Sequence, residues 1–201
     1  MSPMDPMTKE AAVRLALDAL PDAPAVCTTG YTARIAALLG RPNHLPMTGS
    51  MGLALPVGTG IALASGRLTL VVDGDGSLLM NPGGLVTLGA LPRVPVIHLV
   101  LDDGVYASTG GQPTPGVDVD YCALAAASGI PTVRHVRAAE ALRRLLGDVS
   151  ARRDGPVFVH CPVTADPAPP APRVADEPAR IARRFTAHLR EAAGGGPSSA
   201  A

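Results

Sequence analysis

Two short apolar runs in this chain stop abruptly at acids and glycines. Residues 68–72 run into Asp73-Gly74-Asp75-Gly76, and residues 94–101 run into Asp102-Asp103-Gly104. Neither run alternates apolar with polar residues; Thr69 interrupts the first and His98 the second. A strand that is apolar almost throughout has both faces covered, the condition of a parallel sheet held between helices. Apolar residues at helical spacing predict helices over 8–20, 34–39, 51–64, 84–91, 121–128 and 138–149. Further apolar runs predict strands over 25–29, 132–136 and 156–161. Strands alternating with helices across short connections make βαβ units. The expected fold is therefore α/β, three layers in the order α/β/α around a mostly parallel sheet. The 22 glycines and 21 prolines are too many for a helical bundle and fit the turns this fold requires.

Past Pro162 the composition shifts. Residues 165–172 hold four prolines and read as an extended strap. Residues 177–193 resume helical spacing, with Ile181, Phe185 and Leu189 in one stripe, and the Gly/Ser-rich end reads as disordered. The expected organisation is one domain over 1–162, a strap and C-terminal helix over 163–193, and a disordered tail over 194–201. A length of 201 residues suits one ordinary domain with an appendage. Seventeen basic against seventeen acidic residues argue against a nucleic-acid or polybasic membrane binder. With 2% aromatics and no Trp, a base-stacking platform is disfavoured too. Cys27, Cys122 and Cys161 are widely spaced, without a CxxC pair, and read as small core residues. The N-terminal residues lack the apolar core of a signal peptide, and no stretch approaches the roughly 20 apolar residues of a membrane span. The expected location is the cytoplasm.

In parallel α/β sheets, ligands bind beyond the carboxyl ends of the strands, which is where both acidic turns fall. If the two strands are neighbours, Asp75 and Asp103 face one another and, with backbone carbonyls, make a site for a hard cation such as Mg²⁺. The glycines let backbone approach a ligand without a Cβ in the way. Ser77 and the helix start behind it offer donors to a phosphate. Two acidic turns that merely cap helices would look the same at this level.

Gly74-Asp75-Gly76, then 25 residues, then Asp102-Asp103 resembles the thiamine-diphosphate motif, whose usual form closes on Asn-Asn or Asp-Asn. GDGSLLMN at 74–81 and YASTGGQPT at 106–114 are similar to the phosphonopyruvate and sulfopyruvate decarboxylases. TTGYTAR at 28–34 and TGSMGLALPVGTGIALA at 48–64 fall in the order and spacing of that family's cofactor half, so the resemblance covers about residues 25–162. It implies the thiamine-diphosphate-binding fold, with thiamine diphosphate and Mg²⁺ as cofactors. By the same resemblance, Asp75, Asp103 and the Val105 carbonyl are the metal ligands. Thr29, Gly30 and Ser77 lie at the diphosphate, and Ser50, Gly74 and Gly76 belong to the cofactor-binding segments. The Gly49 carbonyl receives the aminopyrimidine, and Met51 is the wedge that bends the cofactor. Ser108, Thr109 and Gln112, with Thr114, are implied as donors to an anionic substrate head group. Asp103 stands where Asn is usual. The added charge predicts stronger metal dependence, and Asp103→Asn is expected to leave cofactor affinity equal or better.

Enzymes of this family place the cofactor between two related domains and take an activating glutamate from the other one. Glu10, Glu140, Glu177 and Glu191 are the four glutamates here, and none has a sequence context that fits that role. The resemblance thus implies a diphosphate-binding subunit, inactive alone, that joins a separate pyrimidine-binding (alpha) subunit in a heterotetramer or higher heteromer. The implied reaction is non-oxidative decarboxylation of a small anionic 2-oxo acid, 3-phosphonopyruvate to phosphonoacetaldehyde and CO₂. A 3-sulfopyruvate decarboxylase beta subunit is the alternative, and a non-catalytic cofactor-binding scaffold also fits. A dinucleotide-dependent dehydrogenase is disfavoured, because no GxGxxG follows a first strand. His98, His135 and His160 read as structural or sheet-end residues, whereas His44, just upstream of residues 48–52, reads as the histidine nearest the site.

Overall fold

The structure, a computed structural model, describes residues 7–152, 154–166 and 170–194. Of the expected disordered tail, residues 195–201 lie outside the described residues, as do 167–169 of the strap. The Thr8 hydroxyl caps the first helix, α1 (Lys9–Ala19), by accepting the Ala11 N–H. There follow β1 (Ala25–Cys27), α2 (Tyr31–Leu38), β2 (His44–Pro46), α3 (Ala54–Ser65), β3 (Thr69–Gly74), α4 (Asp75–Met80) and α5 (Gly83–Gly89). The second half holds β4 (Val96–Asp102), β5 (Val105–Tyr106), β6 (Gln112–Pro113), α6 (Tyr121–Ala127), β7 (Thr132–His135), α7 (Ala139–Arg152), β8 (Val157–Pro162) and α8 (Pro178–Gly194).

Six strands form one wholly parallel sheet in the order β2-β1-β3-β4-β8-β7. Because successive side chains of a strand point to opposite faces, the central strands supply two cores. Leu70, Val72, Leu99, Leu101 and Val159 pack with Val13 and Leu17 of α1, Ile35 of α2 and Leu142 and Leu146 of α7. Val71, Val96, Val100 and Phe158 pack with Leu55 of α3, Leu85 and Leu88 of α5 and Tyr121 of α6. This is the three-layer α/β/α arrangement expected from the alternation. Helix α8 lies against the edge strand β2, with Ile181 and Phe185 buried.

Three features depart from the sequence expectations. Strand β2 escapes notice because it is three residues long and ends in proline, which an edge strand tolerates. The helix expected over 51–64 begins only at Ala54, after a turn in which Gly52 takes φ 88°. Likewise α2 begins at Tyr31 rather than Arg34, directly after Gly30 at φ 95°. Among the described residues of the strap there is no helix or extended strand. It is pinned by Thr164, whose N–H donates to the Met7 carbonyl while its carbonyl accepts from Lys9.

Candidate functional site

From β1 the sheet grows toward β2 on one side and toward β3 and β4 on the other, so the connections diverge between β1 and β3. Such a switch point opens a crevice at the carboxyl ends of the strands, and a cavity of about 540 Å³ lies there. Its walls are the segments that leave β1 (Thr28, Thr29, Gly30), β2 (Met47 to Met51), β3 (Gly74 to Ser77) and β4 (Val105 to Thr109). Thr29, Gly30, Gly49, Ser50, Met51, Gly74, Asp75, Gly76, Ser77, Val105, Ser108 and Thr109, all singled out in the sequence, are brought together on it.

Hydrogen bonds lock these loops to one another. Ser77 Oγ sits 2.9 Å from Thr28 Oγ1 and accepts the Gly52 N–H at 3.1 Å, while Asn81 donates to the Gly52 carbonyl at 3.0 Å. Ser50 is held at φ 59°, in the left-handed region that a non-glycine residue rarely adopts. Gly76 is required by close approach: a Cβ there would come within 2.3 Å of the Tyr106 ring.

The acids are arranged in depth. Asp75 is 2% exposed, and its Oδ2 accepts the Thr114 hydroxyl at 2.7 Å. Burial, reinforced by the Asp102 and Asp103 carboxylates, pushes its carboxyl above the usual range. Asp102 is instead held below the usual range, chiefly by His160, whose Nε2 lies 2.9 Å from Asp102 Oδ2. Asp103 Oδ2 lies 2.5 Å from Lys9 Nζ, with the two side chains 5% and 11% exposed, while its Oδ1 is buried without a partner among the described residues. Asp75 is a buried carboxylate on the cavity wall beside the Val105 backbone, and Asp103 carries a buried Oδ1 with no partner among the described residues, so the donors at these strand ends are oxygens. Oxygen donors fit a hard divalent cation such as Mg²⁺.

Several expectations need correction. Asp103 does not line the main cavity; it faces a smaller one behind it, beside Lys9, Tyr31 and Ile35. Its extra charge is already met by Lys9, so Asp103→Asn would strand a buried ammonium rather than relieve a repulsion. Gln112 is exposed on the β5–β6 hairpin and outside the cavity wall, its Oε1 accepting from the Thr109 hydroxyl at 3.3 Å. His44 is buried in β2 under α2 and α8 and lines no part of the cavity. Among the described residues neither ring nitrogen has a hydrogen-bond partner, and burial pulls its pKa down to about 4. Sequence reasoning missed Lys9, Arg34 and Arg173, three cations on the cavity wall. No local pattern marks them, because they come from α1, α2 and the strap. Arg34 stacks on the Tyr31 ring at 4.9 Å.

Comparison with known proteins places these residues in context. The family model described as "Thiamine pyrophosphate enzyme, C-terminal TPP binding domain" matches residues 24–161. Phosphonopyruvate decarboxylase of Streptomyces viridochromogenes is 42% identical over 184 residues, covering 90% of this chain and 46% of that protein. The chain thus spans about half the length of that relative. Sulfopyruvate decarboxylase subunit beta of Methanothermobacter thermautotrophicus is 36% identical over 174 residues, covering 86% of this chain and 90% of that protein. A solved Mycobacterium smegmatis structure, described as a candidate thiamin diphosphate-dependent enzyme, superposes with a TM-score of 0.65 at 26% identity. It covers 80% of this chain and 32% of that one.

Proposed function

The chain belongs to the thiamine pyrophosphate enzymes, through their C-terminal TPP binding domain, and on that premise we propose that it is the diphosphate-binding subunit of a split decarboxylase acting on 3-phosphonopyruvate. The products are phosphonoacetaldehyde and CO₂: the bond between the carboxyl and keto carbons breaks, and a proton takes the carboxylate's place. The observation that carries this reading is the switch-point cavity, which gathers the segments after β1, β2, β3 and β4 around buried Asp75.

Thiamine diphosphate, when bound, supplies a carbon nucleophile for the keto group and a sink for the electron pair left by CO₂. In this reading Asp75 and the Val105 carbonyl, both on the cavity wall, would hold Mg²⁺, and Asp103 would join them by turning its carboxylate from Lys9 toward the cavity. Thr29, Gly30 and Ser77, with the backbone at Gly74 and Gly76, receive the diphosphate. The Gly49 carbonyl and Ser50 border the pyrimidine, and Met51 is the apolar wedge. Ser108 and Thr109 face the substrate head group, and Arg173 supplies a cation on the same wall. Residues 1–162 act as the cofactor-binding unit, and the strap contributes that arginine.

Two observations support a separate pyrimidine-binding alpha subunit. Among the described residues, no glutamate lines the cavity. Leu53 and Met80, 44% and 60% exposed, flank the Gly52 turn and offer apolar surface to a partner. The 36% identity to a sulfopyruvate decarboxylase subunit beta supports a second reading, with 3-sulfopyruvate as substrate.

The test is to assay the purified chain, alone and mixed with a co-expressed pyrimidine-binding partner, for CO₂ release from phosphonopyruvate, sulfopyruvate and pyruvate. The expected result is turnover of phosphonopyruvate only in the mixture, dependent on thiamine diphosphate and Mg²⁺. Turnover by the chain alone would refute the split organisation. Preference for sulfopyruvate would select the second reading, and a mixture that binds cofactor but turns over nothing would mark a scaffold.

A further inference from the structure

At the edge of the sheet opposite β2, strand β7 ends beside β8, and His135 and His160 are register partners there. Their Nδ1 atoms face each other at 3.1 Å. Cys122, in the first turn of α6, brings its Sγ to the same point, so that the three ligating atoms lie within 4.8 Å of one another. Around a tetrahedral ion with metal–nitrogen bonds of about 2.0–2.1 Å and metal–sulfur bonds of about 2.3 Å, neighbouring donors sit about 3.3–3.6 Å apart. The histidine pair is near this spacing as it stands, and Cys122 needs only a rotamer-scale adjustment. Its present contact is a long one, 3.8 Å to the Arg134 carbonyl.

The surroundings are those of a ligand set. His160 Nε2 is engaged by Asp102 Oδ2 at 2.9 Å, which leaves Nδ1 directed at the cluster. A carboxylate behind a ligating imidazole fixes its tautomer and orientation. The Tyr121 ring packs on His160 with centroids 4.9 Å apart, holding its plane. His135 Nε2 accepts from Arg137 Nε at 3.1 Å, but that arginine is exposed and free to withdraw.

We propose that Cys122, His135 and His160 form a Zn²⁺ site with its fourth position open to water. One thiolate and two imidazoles are borderline-soft donors that select Zn²⁺ over Mg²⁺, so this site is chemically separate from the acid cluster around Asp75. Binding displaces the thiol proton of Cys122 to solvent, with no change of oxidation state. The ion would tie α6, β7 and β8 together and hold His160 against Asp102, the residue preceding Asp103. The proposal stands whether or not the chain is a decarboxylase subunit.

The test uses the full chain, stripped with chelator, in excess Mg²⁺ and titrated with Co²⁺ as a spectroscopic probe. One equivalent of Co²⁺ should give a thiolate-to-cobalt charge-transfer band and intense tetrahedral d–d bands, both lost on adding Zn²⁺. Cys122→Ser should abolish the charge-transfer band, and Asp102→Asn should weaken Zn²⁺ affinity about 10–100-fold. His135→Gln, at an exposed position, provides a second variant that leaves the fold alone and should likewise lower affinity. Weak octahedral bands without a thiolate band in the native chain would overturn the proposal. So would a charge-transfer band that survives Cys122→Ser, or Zn²⁺ affinity unchanged in His135→Gln.

Discussion

Replacing Lys9 with methionine isolates the electrostatic feature that distinguishes this site. Lys9 Nζ and Asp103 Oδ2 are 2.5 Å apart, with side chains 11% and 5% exposed, so solvent screens the pair only weakly. Removing one partner of such a pair leaves the other charge buried and uncompensated, at a cost of about 3–5 kcal/mol. Lys9→Met and Asp103→Asn should each lower the free energy of urea unfolding by about that amount. The double variant buries no charge, and neutral replacements of a buried pair are often close to neutral in stability. It should therefore recover most of the loss, as a double-mutant cycle would register. Mg²⁺ sharpens the comparison. It should restore part of the stability of Lys9→Met, where both Asp103 oxygens can take a cation, and none of that of Asp103→Asn. Single variants within about 1 kcal/mol of the native chain, or losses that simply add in the double variant, would refute the reasoning.

Three further outcomes are expected. Gly76→Ala drives a Cβ to 2.3 Å from the Tyr106 ring, so it should cost about 1–3 kcal/mol of stability and weaken thiamine diphosphate binding in calorimetry. Burial raises the Cys27 and Cys161 thiols to about 12, whereas Cys122 is only partly buried. Of these, Cys122 alone should react with a thiol reagent in the native chain, and all three after unfolding. His44 titrates near 4 when folded, through burial with Arg41 and Arg184 nearby, against 6.5 when unfolded. Because its folded pKa is depressed, the unfolded chain binds the extra proton between those values, and stability falls as pH drops from about 6.5 toward 4. His44→Leu should flatten that slope in a pH series of urea melts.

Much of the fold was legible because its determinants are local. The apolar runs ending at Asp73 and Asp102 announce buried strands by their lack of alternation, and the glycines beside them mark the turns where a cavity wall must come close. What lay in the sequence only as fragments was the pairing of distant groups. Nothing near Lys9 points to Asp103, and nothing near Cys122 points to two histidines on separate strands. His44 was misplaced for the same reason. Its nearness in sequence to residues 48–52 counts for less than its place on an edge strand covered by α8.

The sequence by itself determined that this chain would be a layered α/β domain with acids and glycines at its strand ends, since period and turn chemistry act over a few residues. Only the tertiary structure decided which of those ends meet. The order β2-β1-β3-β4-β8-β7 opens the crevice between β1 and β3, and the bridge from Thr8 to Thr164, just past β8, sets the start of α1 so that Lys9 meets Asp103. Charge compensation and ligand convergence depend on distance in space, and only the completed sheet sets that distance.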